Sequence, residues 1–143
     1  MAAKMLGLML RVFGILMTAA LIAVVMPFAW MQETHRDLLG IGNMPDGPIV
    51  EYLARSLSLF YALHGALLFF LARDISRFLP VIQCLALLGI AFGTVILFLD
   101  IAVGMPAHWI LGEGPLVIPL GIVLFWLARR VKKTGGPYSK RNE

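Results

Sequence analysis

The chain has 143 residues, 60% of them hydrophobic and only 14% charged, which is more apolar surface than a water-soluble domain of this size can hide. A net charge of +4 and a pI near 9.6 raise nucleic acid as a partner, but the basic residues flank apolar segments and form no nucleic-acid-binding frame, so that class is set aside. One cysteine, Cys84, excludes dithiol chemistry within a single chain.

A bilayer span takes roughly 20 mostly apolar residues, and four such spans with their connections use nearly the whole length. The expected fold is therefore all-α, an integral membrane four-helix bundle in one domain. The first span is expected at residues 12–31, behind an apolar lead that carries Lys4 and Arg11. Its core is longer than that of a secretory signal and runs on into Pro27, Phe28, Ala29 and Trp30, which predicts a retained helix. Residues 32–48 are polar and then rich in turn formers, so they read as an outer loop. Gly40 and Gly42 within it lack the third glycine and the preceding strand of a phosphate-binding loop.

The second and third spans are expected at 49–72 and 78–99, joined by the basic turn Arg73-Asp-Ile-Ser-Arg77, short enough to force an antiparallel hairpin. Residues 100–114 include Gly104, Pro106, His108, Trp109, Gly112 and Glu113, which suggests a non-helical or re-entrant outer connection. The last span, 115–128, is then too short to cross unless its helix begins earlier, near Ala107, or the connection dips into the bilayer against protein. Pro119 is expected to kink it by removing a backbone donor. A basic tail, 129–143, closes the chain.

Lysine and arginine fix the expected orientation. Lys4, Arg11, Arg73, Arg77, Arg129, Arg130, Lys132, Lys133, Lys140 and Arg141 fall on one side of a four-span arrangement, and Arg36 on the other. By the positive-inside rule both termini are cytoplasmic. The outer side collects Glu33, Asp37, Asp46, Glu51, Asp100 and Glu113. Trp30 and Trp109 read as outer interface anchors and Trp126 as an inner one.

The second span opens with an unusually polar stretch, Glu51 to Gly65. At 100° per residue Glu51, Arg55, Ser58, Ala62 and Gly65 share one face, with Tyr61 and His64 at its edge. An arginine inside the outer leaflet costs about 2.5–3.5 kcal/mol near the bilayer centre unless a partner receives it. Glu51, Asp100 and Glu113 are the available carboxylates, and counting helix rise places Glu113 closest in depth, which makes Arg55–Glu113 the expected central pair. With Ser58 and His108 these residues form the candidate ligand site or ion-pair network. His64 reads as a neutral histidine bonded to a neighbouring helix rather than as a proton relay.

In the third span Gly89-Ile-Ala-Phe-Gly93 is a Gly-x-x-x-Gly pattern suited to close packing within the bundle, with homo-oligomerisation as its alternative use. No histidine, cysteine or carboxylate spacing typical of a metal site occurs, and no cofactor is implied.

The Glu51-to-Gly65 opening, the glycine-bearing third span ending in Asp100, and Gly104-Met-Pro106 leading to Glu113 resemble the small four-span bacterial inner-membrane proteins, a loose group that includes DoxX-like families. The resemblance implies a four-helix membrane fold and a multi-pass address in the bacterial inner membrane. Some DoxX-like members are tied to thiol or quinone metabolism, but with Cys84 alone no dithiol role carries over and no catalytic residue is transferred.

The first functional expectation is a binding or accessory protein, with a polar recess on the outer side for a lipid or small molecule. A membrane enzyme acting on a lipid or isoprenoid is the alternative, with Glu113 or Asp100 as acid or base and Arg55 stabilising negative charge. A structural or assembly subunit is the second alternative, and a proton-coupled transporter the weakest reading, since the acids lie near span ends. Membrane lipids are the expected partners.

Overall fold

A computed structural model describes residues 1–133. Lys140 and Arg141 of the basic tail lie outside the described residues, which are all-α, with seven α-helices, one π-helical turn and no strand. Four helical stretches are long and apolar enough to cross a membrane: Ala2–Val25, Pro48–Leu71, Ile75–Val103 and Ala107–Lys132. Large apolar side chains along them, among them Ile15, Phe60, Leu63, Phe98 and Ile122, are exposed. Surface of that kind is what hydrocarbon covers in a membrane protein.

Each stretch differs from its expected bounds for a local reason. Helix α1, Ala2–Thr18, starts well before residue 12, because nothing in Ala2–Arg11 breaks a helix and Lys4 and Arg11 are good helix formers. It passes through a tightened turn, in which the Ala20 N–H donates to the Met17 carbonyl at 3.2 Å, into α2, Leu21–Val25. Pro27 ends α2 by pushing Met26 to an extended conformation, φ −64° and ψ 137°. Helix α3, Phe28–Glu33, and the π-helical turn Thr34–Leu38 follow.

Helix α4 is Pro48–Leu71, with proline at its first position, where the missing N–H costs nothing. Helix α5, Ile75–Val103, outruns the expected 78–99 at both ends. The Asp74 carboxylate accepts from the Arg77 backbone N–H at 3.0 Å and starts it early. Gly104, at φ 74° and ψ 37°, stops it late with a left-handed cap.

The expected non-helical connection at 100–114 is largely helical instead. Only Gly104–Pro106 and Glu113 interrupt it, because Pro106 leads directly into α6, Ala107–Gly112. Helix α7, Gly114–Lys133, completes the shortfall of the last span, and Pro119 lies inside it without ending it.

The described chain divides into two compact units: Arg11–Phe69, and Met1–Leu10 together with residues 70–133. In the first, Gly65 on α4 lies so close to α1 that an added Cβ would collide with Thr18 Oγ1 and sit 2.7 Å from the Gly14 carbonyl oxygen. In the second, α5 and α7 pack tightly and antiparallel. A Cβ at Gly114 would be 2.6 Å from the Gly93 carbonyl oxygen, and one at Gly121 would be 2.9 Å from that of Ala86. As the chain rises from Ala86 to Gly93, its partner descends from Gly121 to Gly114. Small residues at both levels let the backbones approach, which is how membrane helices gain packing without a hydrophobic drive between them. Ile82 and Leu127 are almost fully buried in this unit.

Candidate functional site

Glu51, Arg55 and Ser58 fall in the first unit, and Asp100, His108 and Glu113 in the second. In the first unit the decisive event is the break at Pro27. The Trp30 N–H, which would serve Met26 in an unbroken helix, donates to the Pro27 carbonyl at 3.0 Å. The extended Met26 swings the chain out of line, so the carbonyls of Val24 and Met26 need other donors.

Arg55 supplies them. Its Nη1 donates to the Val24 carbonyl, and its Nη2 donates to the Met26 carbonyl at 3.0 Å. Nε and Nη2 also donate to Glu51 Oε1 at 2.9 and 2.7 Å. Four of the guanidinium's five N–H donors are thereby engaged by protein acceptors.

Within this unit the carboxylate partner of Arg55 is Glu51, not the Glu113 that counting helix rise favours, which lies in the other unit. Glu51 lies one turn earlier on the same helix face, in the favourable order of acid before base. Ser58 is likewise occupied locally, its hydroxyl donating to the Ala54 carbonyl at 2.8 Å. Both ionic side chains are only partly buried, at 28% exposure for Arg55 and 40% for Glu51.

The loop beyond is tied to itself. Gln32 Nε2 donates to Asp46 Oδ1 at 2.6 Å, and His35 Nδ1 lies 2.7 Å from the Gly42 carbonyl oxygen. Arg36 forks onto the neighbouring Asp37 at 2.7 and 2.8 Å, and those N–H donors hold the Asp37 carboxyl below its ordinary range.

The second unit presents the opposite situation. Asp100 is buried, with 6% of its surface exposed, and its Oδ2 has no hydrogen-bond partner. It sits in the last turn of α5, where unpaired carbonyls make the helix end negative and oppose an anion. Glu113 adjoins Gly114, which packs against Leu97, about one turn before Asp100 on α5.

Glu113 itself joins two helices. Its N–H closes α6 onto the Trp109 carbonyl at 3.0 Å, while its carbonyl accepts from Leu116 and Val117 at the start of α7. Its carboxylate therefore stands at the positive end of α7, where a negative charge is favoured. His108 is exposed on α6, and Trp109 is half-buried. Two acids thus share one locale in contrasting fields, and one oxygen in it lacks a donor.

The glycine pattern of α5 also divides. Gly93 packs against Gly114, whereas a Cβ at Gly89 would meet nothing within 4 Å, so Gly89 is corrected from the packing face to open space. Its true counterparts are Gly114 and Gly121, which sequence reasoning passed over because they belong to no short motif. The carbonyls of Val24 and Met26 were missed too, although Pro27 signals freed backbone acceptors nearby. No group of three or more potential metal ligands occurs among the described residues. In comparisons with protein families, curated proteins and solved structures, nothing matches this chain.

Proposed function

We propose that the protein is a membrane-embedded binding or accessory protein whose Asp100–Glu113 locale receives a small molecule or lipid headgroup carrying a hydroxyl or amine. The observation that carries this reading is the Asp100 oxygen, buried and without a donor at a helix end that disfavours its charge. A buried polar atom in that position costs about 1–3 kcal/mol, more if charged, and a donor from a bound molecule removes the penalty. Arg55, first counted as a ligand group, drops out of the site because the protein already occupies it.

The same proposal includes a four-helix bundle in a bacterial inner membrane, with both termini cytoplasmic and a DoxX-like kinship. Its support is the concentration of Lys4, Arg73, Arg77, Arg129 and Arg130 at one set of span ends, against Arg36 at the other.

Native mass spectrometry of the wild type and Asp100→Asn, purified in mild detergent, tests the site. The wild type is expected to carry a small adduct that the still-helical variant loses. If the wild type carries none, and Asp100→Asn merely melts higher, the carboxylate is structural and the reading fails.

A further inference from the structure

The antiparallel register of α5 and α7 has a second product at the opposite end from Asp100. Ala86 faces Gly121, so Gln83, one turn before Ala86, comes level with Phe125, one turn beyond Gly121. Together with Arg129 and Lys132 they line an open recess of about 480 Å³, a size usual for ligand sites.

Its chemistry is that of an oxyanion receptor. Arg129 and Lys132 lie three residues apart on one face of α7, near the helix end that favours cations. Neither forms an ion pair with a described residue. The Arg129 guanidinium is held against one wall, 5.7 Å from the centre of the Phe125 ring. Gln83 adds an amide that can donate to a further oxygen. By contrast Arg130, the next residue, is stacked 3.7 Å over Trp126 and faces elsewhere.

We infer that this recess binds the phosphate of an anionic lipid headgroup. A phosphate oxyanion is the shared chemistry of a lipid and of free phosphate, and the surroundings favour the lipid. One helical turn from Gln83 on α5, Leu87 is exposed, and one turn from Phe125 and Trp126 on α7, Ile122 is exposed. Acyl chains rising from the headgroup would run along these side chains. Basic recesses between membrane helices are suited to such headgroups.

The test is native mass spectrometry of the full chain released from nanodiscs of equal phosphatidylglycerol and phosphatidylcholine, counting lipids retained. The wild type should retain phosphatidylglycerol in preference. Charge-assisted hydrogen bonds to a seated phosphate exceed the diffuse attraction of a surface, so Arg129→Gln with Lys132→Gln should cut retention by about twenty-five-fold. The charge-matched pair Lys4→Gln with Arg73→Gln, outside the recess, should change it by less than about twofold, because a seated headgroup is insensitive to distant charge. Gln83→Leu alters no charge and should still lose about threefold, which keeps a readout if the double variant folds poorly. Equal loss in both charge pairs, no lipid preference in the wild type, or displacement of bound lipid by inorganic phosphate would each overturn the assignment.

Discussion

Arg55 and Asp100 are both ionisable side chains near the end of a membrane-length helix, and the protein treats them in opposite ways. Around Arg55 most of the donor–acceptor demand is met from within: Glu51 balances the charge, and two carbonyls freed at Pro27 take two more of its donors. Around Asp100 the burial is deeper and the demand unmet. A saturated polar cluster in an apolar setting has its full use in holding the fold, whereas an unsaturated one has capacity left for another molecule. The difference is why the proposed binding locale lies at Asp100 and not at Arg55.

The strongest way to break that contrast is Arg55→Ala. It strips donors from two carbonyls and leaves Glu51 without its cation, so a loss of about 3 kcal/mol in unfolding free energy is expected in detergent. A variant as stable as the wild type would show that the carbonyls find other donors. Next comes Gly114→Ala, whose methyl would press on the Gly93 backbone and is expected to cost about 2 kcal/mol through overpacking. Gly89→Ala, facing open space, should stay within about 0.5 kcal/mol of the wild type.

Asp100→Asn is expected to move stability the other way, raising it by about 1 kcal/mol in ligand-free protein, because it removes, at low volume cost, a buried acceptor that has no donor. Thermal unfolding after delipidation measures this, and destabilisation comparable to Arg55→Ala would erase the distinction between the regions.

The smallest effect concerns Arg36 and Asp37. Since Asp37 titrates below its ordinary range, any stabilisation from the pair is fully present above that range and is lost only as pH falls through the lowered value. Both side chains are exposed, so Asp37→Asn should leave the melting temperature unchanged near neutral pH. A clear drop there would reveal a role for the loop that its geometry does not suggest.

The apolar blocks made the helical class and the presence of four spans readable, because hydrocarbon imposes length and composition on any segment that crosses it. Helix ends were less readable. Asp74 lengthens α5 through a side-chain cap, and Pro106 opens α6 where turn-forming composition suggested irregular chain. At the candidate site, the need of Arg55 for a carboxylate followed from burial cost alone, but the choice among Glu51, Asp100 and Glu113 did not. Helix rise orders candidates by depth and says nothing about side-chain reach along one face, where Glu51 had the advantage. The acceptors at Val24 and Met26 were harder still, since backbone carbonyls carry no residue-type signal. Asp100 stood out by position, yet its lack of a donor is a property of packing.

The grip of Arg55 on Val24 and Met26 also bears on how the chain is built. Synthesis delivers the first span, with its carbonyls bare at the proline break, before the ribosome has made the residue that covers them. Bare carbonyls resist release into hydrocarbon. The first two spans are therefore matched in sequence: a break at Pro27 in one calls for a donor such as Arg55 from the other.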